Sequence, residues 1–163
     1  MNLAKIIGND YFLAFYSAKN CPKFTGWKGH GIIWRPQDLR KEISKSPKFY
    51  FYDNGIRNAL ISNFNSIDLR NDIGQLWENF LISERIKHQQ YTKMIVNNFF
   101  WRTYDQQEID WIEERNGKLF GYEIKWNKTH VKPPLAWRTA YPDASFETLH
   151  PDHFRSFAGI GDS

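Results

Sequence analysis

Glu108-Ile-Asp-Trp-Ile-Glu-Glu-Arg-Asn-Gly-Lys-Leu-Phe-Gly-Tyr-Glu-Ile-Lys125 is the stretch whose reading decides the fold. Two alternating runs flank Asn116-Gly117, and Asn-Gly between such runs is the strongest short-range signal for a β-hairpin. With a type I′ turn at those two residues, Arg115 pairs with Lys118, Ile112 with Gly121, Trp111 with Tyr122, Asp110 with Glu123 and Glu108 with Lys125. Side chains alternate faces along a strand. One face then carries Glu108, Asp110, Ile112, Gly121, Glu123 and Lys125, and the other, a core face, carries Ile109, Trp111, Phe120, Tyr122 and Ile124. The register sets Asp110 opposite Glu123, with β-carbons roughly 4.5–5.5 Å apart. Like charges so placed destabilise a hairpin unless a cation lies with them. Mg²⁺ or Mn²⁺ suits the position, because such an ion takes one or two carboxylates and leaves room for water and phosphate. Lys125 adds a compact positive charge on the same face. The plain alternative is a solvated hairpin face whose charges happen to alternate.

The rest of the chain bounds what this hairpin belongs to. Its 163 residues suffice for one domain with a real core, and 41% hydrophobic with 17% aromatic content excludes a disordered chain. A net charge of +4 permits a polyanionic partner without demanding one. The single cysteine, Cys21, excludes an intrachain disulfide and a multi-cysteine zinc site, and fits a reducing cytoplasm. No apolar run is long enough to span a membrane, and the apolar patch within Met1 to Tyr16 lacks a signal-peptide cleavage pattern.

Taken in order, Asp10 to Tyr16 is an aromatic-rich strand or short helix, and Pro22 to Gly31 reads as a loop. That loop has three glycines but no Gly-Lys-Ser/Thr, so it is not a phosphate-binding P-loop. Pro36 to Lys45 reads as a short charged helix with proline at its start. Lys48 to Tyr52 is an aromatic strand stopped by Asp53-Asn54-Gly55, Ile56 to Ile61 a short helix, and Asn63 to Asn71 a loop. Ile73 to Lys87 is the clearest helix, with an apolar stripe of Ile73, Leu76, Trp77, Phe80 and Leu81 and Asp72 as its N-cap. Glu78 lies beside that stripe and could reach toward a sheet; Glu84 lies on it and is expected to be buried and paired. Met94 to Arg102 is a strand, Tyr104 to Gln107 a turn, and Trp126 to Pro134 a basic loop with Lys128, His130 and Lys132. A helix at Leu135 to Tyr141, a strand at Ser145 to Leu149 and a helical turn at Pro151 to Phe157 precede a fraying tail. From Ile73 the order is helix, three strands, helix, strand: an α/β domain with a mixed central sheet flanked by helices. None of the five histidines shows paired metal spacing, and His150 and His153 read as surface residues.

A helix acid, then Asp, then Glu-x-Lys resembles the PD-(D/E)XK nuclease superfamily: Glu78 in Gly74-Gln-Leu-Trp-Glu78, Asp110 in Glu108-Ile-Asp110, and Glu123-Ile-Lys125. More closely, these motifs look like the uncharacterised domain at the C-terminus of many prokaryotic AAA-type ATPases. Lys48-Phe-Tyr-Phe-Tyr-Asp53-Asn-Gly55, Glu78-Asn79-Phe80 and Phe100-Trp-Arg102 carry the closer resemblance. It covers Ser44 to Phe157 and divides the chain into 1–43, which supplies no nucleotide-binding motif, and a nuclease-like domain at 44–163.

The resemblance implies a restriction-endonuclease-like core and metal-dependent phosphodiester hydrolysis of nucleic acid, most naturally DNA. It implies Asp110, Glu123 and Glu78 as ligands to Mg²⁺ or Mn²⁺, and Glu78, Asp110, Glu123 and Lys125 as catalytic residues. Lys125 would orient water or phosphate. Arg102, Lys128, His130 and Lys132 are candidate phosphate contacts, with a solvated basic loop as the alternative. A non-catalytic accessory domain of an AAA-type ATPase system, binding nucleic acid or protein, is the second reading, and a plain structural α/β module is the third. Oligomeric state is not written in the sequence.

Overall fold

The computed structural model describes residues 48–103 and 107–161, and the backbone alone at 33–34 and 37–38. Two short strands come first, β1 at Ile33–Trp34 and β2 at Gln37–Asp38. They are followed by β3 at Tyr50–Phe51, helix α1 at Asn54–Leu60 and helix α2 at Ile73–Tyr91. Strands β4 (Asn97–Arg102), β5 (Glu108–Arg115) and β6 (Lys118–Ile124) come next. Helix α3 (Leu135–Ala140), strand β7 (Ser145–Leu149) and helix α4 (Arg155–Ala158) close the order.

Four longer strands and the two-residue β2 form one sheet in the order β2-β4-β5-β6-β7. Its outer pairs, β2 with β4 and β6 with β7, are parallel, while β4-β5-β6 is antiparallel. The mixed α/β class expected from the sequence is therefore the class observed. Strands β1 and β3 pair separately.

The hairpin forms in the expected register: Trp111 pairs with Tyr122, Ile112 with Gly121 and Arg115 with Lys118. Asn116 and Gly117 both have positive φ, 51° and 73°, as a type I′ turn requires. The face assignment needs one correction. Phe99 of β4 pairs with Ile112 and Trp101 with Ile109, so the single residue Phe100 faces two, Asp110 and Trp111. This β-bulge shifts the alternation by one residue. Ile109, expected beside Trp111, instead packs with Ile112, Trp101 and Trp137, while Trp111 joins the opposite cluster.

Both faces of the sheet are covered. On one, Trp77, Leu81, Ile82 and Ile86 of α2 meet Tyr50, Trp111, Tyr122, Ile124, Leu149 and Phe157. On the other, Trp137 of α3 packs edge-to-face on Trp101, centroids 5.8 Å apart. Burying Leu81 and Ile82 completely contributes about 1.5–3 kcal/mol each.

Several local expectations shift. Helix α2 continues a turn past Lys87, because its buried face runs on through Arg85, Ile86 and Gln89. Glu84 is paired, with Lys87 at 2.6 Å, but it is not buried; the buried charge of this helix is Arg85. Asp72 is the N-cap by position but makes no side-chain cap bond. Its carboxylate is taken by Arg57 and Arg70, whose hydrogen bonds hold it well below the usual carboxylate range. A 3₁₀ turn at Ile67–Leu69 interrupts the loop expected over 63–71. Gln37–Asp38, expected within a helix over 36–45, lies in a strand beside Phe99–Phe100; residues 36 and 39–45 of that expectation lie outside the described residues. So do the elements expected at 10–16 and 22–31, most of the 104–107 turn, and the domain boundary near 44. No helix among the described residues is long and apolar enough to cross a membrane.

Candidate functional site

Strand β3 is placed by one side chain. Buried Asn79 accepts the Phe51 N–H at 2.7 Å and donates to the Phe51 carbonyl at 2.9 Å and to Asn54 Oδ1 at 2.9 Å. Asn54 in turn donates to the Leu76 carbonyl, and Asp53 caps α1 by accepting from Gly55 and Ile56. The Asp53-Asn-Gly55 and Glu78-Asn79 motifs are thus two halves of one clamp that docks β3 on α2.

That clamp brings Tyr50 and Lys48 to Glu78, the neighbour of Asn79. The Tyr50 hydroxyl donates to Glu78 Oε1 at 2.8 Å. Lys48 Nζ lies 2.9 Å from Asp110 Oδ1 and 3.5 Å from Glu78 Oε1. The bulge in β5 presents Asp110 here, and its second oxygen accepts the Ile124 N–H at 3.0 Å. Beside it Glu123, one residue short of the end of β6, pairs with Lys125 at 2.6 Å. Glu78, Asp110, Glu123 and Lys125, drawn from a helix, a bulge and a strand end, therefore share one electrostatic neighbourhood.

The charges are strained in one direction. Burial first, and the Asp110 charge second, push both Glu78 and Glu123 above the usual carboxylate value. Lys48 and Tyr50 oppose the shift on Glu78, and Lys125 opposes it on Glu123, without reversing it. Burial would lower Lys48, but the Asp110 and Glu78 charges outweigh it and hold the ammonium form. Burial and Glu78 raise Tyr50 well above its usual value, so its hydroxyl stays a donor.

Asp110 and Glu123 are close, but not as the simple facing pair of a flat hairpin. The Asp110 carboxylate reaches past Glu123 to the Ile124 amide and across to Lys48. Glu108, expected opposite Lys125, is paired with Arg102 at 3.1 Å, so that candidate phosphate contact already has a carboxylate partner. Lys128 forms a solvent-exposed pair with Asp152 at 3.4 Å, and His130 and Lys132 are exposed on the same loop. Their position fits the solvated-loop alternative as well as a phosphate contact. His153 is exposed, as expected, but His150 is largely covered, its side chain 16% exposed.

The sequence reading missed Lys48 and Tyr50, which it had placed in an aromatic strand. The signal was there: Lys48, Tyr50 and Tyr52 alternate, so one face of that strand is polar-tipped throughout. It also missed Glu113, which is fully buried. Glu113 accepts from Arg85 at 2.5 and 2.7 Å, from Gln89 at 2.7 Å and from Trp111 at 3.1 Å. Arg85 also donates to the Phe157 carbonyl, so one ion pair ties α2 to the sheet and to α4.

Among the described residues no three His, Cys, Asp or Glu side chains converge into a metal cage. A Mg²⁺-type site needs less: one or two carboxylates, with water and phosphate completing the shell. Asp110 and Glu123 are all-oxygen donors, and the three carboxylates Glu78, Asp110 and Glu123 meet only two ammonium groups, Lys48 and Lys125, which leaves a negative charge over. The residues fit a hard divalent cation on that account, with Lys48 lying against Asp110 as a competing charge.

Residues 73–145 match a family model described as a domain of unknown function, DUF4143. The match spans Glu78, Asp110, Glu123 and Lys125, and begins after Lys48 and Tyr50. Two curated relatives, uncharacterized proteins of Mycobacterium tuberculosis and Mycobacterium bovis, are each 28% identical over 133 residues. That alignment covers 79% of this chain and 27% of each relative, so the chain spans about a quarter of their length. No solved structure matches the chain.

Proposed function

We propose that this chain carries a restriction-endonuclease-like core whose activity is metal-dependent hydrolysis of nucleic-acid phosphodiesters. The observation that carries the reading is the chain of contacts that gathers Glu78, Asp110, Glu123 and Lys125 from three separate elements: Lys48 bridges Glu78 and Asp110, Asp110 accepts the Ile124 amide, and the adjacent Glu123 pairs with Lys125. A Mg²⁺ or Mn²⁺ ion held by Asp110 and Glu123, with Glu78 beside them, would supply Lewis-acid activation of water and charge neutralisation at the phosphate. The chain's own residues do the rest. The Ile124 amide fixes one Asp110 oxygen, and the Tyr50 hydroxyl fixes Glu78. Lys125, paired with Glu123 and partly open to solvent, is placed to contact a phosphate oxygen and stabilise the charge that builds there. Lys128, His130 and Lys132 would add phosphate contacts without sequence preference, giving a steep salt dependence. The resemblance to an ATPase-associated domain makes an AAA-type ATPase the proposed partner.

A second reading, a nuclease-like domain that binds without cutting, is favoured by one observation. The acids already have ammonium partners, Lys48 on Asp110 and Lys125 on Glu123. The test is a cleavage assay on plasmid and single-stranded DNA and on RNA, with Mg²⁺, Mn²⁺ or EDTA. Metal-dependent cleavage that is abolished by Asp110→Ala and by Glu123→Ala is the expected result. Metal-independent binding with no cleavage in any metal would replace the first reading by the second.

A further inference from the structure

We infer that Lys48 is an internal counter-cation: its ammonium competes with a divalent metal ion for Asp110, so the ion enters only as Lys48 leaves. The inference rests on the metal-site reading above and concerns a residue outside the matched family segment. Lys48 Nζ lies within hydrogen-bond reach of Asp110 Oδ1, on the carboxylate proposed as the principal ligand, and also touches Glu78. Two positive charges cannot share one carboxylate oxygen at such distances without strong repulsion. Lys48 is also not a surface lysine that happens to reach in. The Asn79 clamp fixes Phe51 of β3, three residues further on, and Tyr50 beside it is locked to Glu78. The ammonium is thereby delivered from the segment that leads into β3, a strand outside the main sheet. Its side chain is only 23% exposed, so the charge is poorly screened by water.

Binding of MnCl₂ to the full chain, measured by calorimetry, tests this. Lys48→Met removes the competitor and should tighten Mn²⁺ on the order of ten-fold or more, the scale of one nearby unit charge. Lys48→Arg keeps the charge and should stay as weak as the wild type, and Asp110→Asn should bind nothing. A readout on the unmutated protein covers the case in which Lys48→Met does not fold. Amine acetylation mapped by mass spectrometry should modify Lys48 faster when Mn²⁺ is present, because the displaced amine reaches solvent. Equal Mn²⁺ affinity in wild type and Lys48→Met, absence of binding in both, or unchanged Lys48 labelling would overturn the inference. DNA cleavage measured in parallel separates the two claims. Tighter metal without cleavage sinks the nuclease reading alone, and cleavage with equal affinities sinks the competition alone.

Discussion

Replacing Glu113 by alanine tests how the sheet is held to its helix. The carboxylate is fully buried and receives two bonds from Arg85, one from Gln89 and one from Trp111. Its removal strands the Arg85 guanidinium, itself 4% exposed, without a counter-charge, on the Phe157 carbonyl and ring and the Met94 sulfur. Leaving one charge of a buried pair uncompensated costs about 3–5 kcal/mol. A domain of ordinary stability has about 5–15 kcal/mol to lose. With a urea m-value of about 1.5–2 kcal/mol/M, the unfolding midpoint should fall by roughly 2 M. The double replacement Arg85→Met with Glu113→Leu should recover most of that loss, because apolar packing removes the two buried charges and leaves Arg115, the other cation on Glu113, partly exposed and bonded to the Tyr122 hydroxyl. The pH dependence has a fixed sign. Burial raises Glu113, but Arg85 outweighs it, so the folded value lies below the usual 4.5. Its contribution is therefore present above pH 4.5 and is lost as pH falls through the folded value. The alanine penalty should be full at neutral pH and shrink in acid. A midpoint shift under about 0.5 M, or a double variant no better than the single one, would refute the account.

Two other outcomes follow from the same geometry. Glu78 has the opposite sign: because its folded value is raised, its contribution is full below 4.5 and is lost as pH rises through the folded value. Glu78→Gln should raise the melting temperature at neutral pH by about 2–5 °C and flatten its pH dependence; a lower melting temperature at pH 7 than the wild type counts against it. At Gly121 an added β-carbon would sit 3.3 Å from Phe146 and 3.4 Å from Trp137. Gly121→Val should therefore cost about 1–3 kcal/mol in urea unfolding, and no loss would mean that this face is looser than it looks.

The hairpin was legible because its turn demands positive φ at two successive residues, and Asn116-Gly117 is the pair that supplies it cheaply. Glu78, Asp110, Glu123 and Lys125 were legible as a set of motifs. Their partners were not. Lys48 and Tyr50 sit in Lys-Phe-Tyr-Phe-Tyr, where aromatic content outweighs the alternation that marks a polar edge. Glu113 lies in Glu-Glu-Arg before a turn and looks like surface charge, and its partner is 28 residues away on a helix. The bulge has no local signature, and its effect is to let Ile109 and Ile112, three residues apart, share one cluster with Trp101 and Trp137.

That extra residue has an evolutionary consequence. One backbone irregularity presents Asp110 to its partners and also seats Ile109 in the tryptophan layer. A lineage that abandoned whatever chemistry Asp110 serves could change the carboxylate, but it could not delete the position without unseating Ile109. Descendants that lost the carboxylate would keep the local architecture, and a single back-substitution could restore the acid to its place.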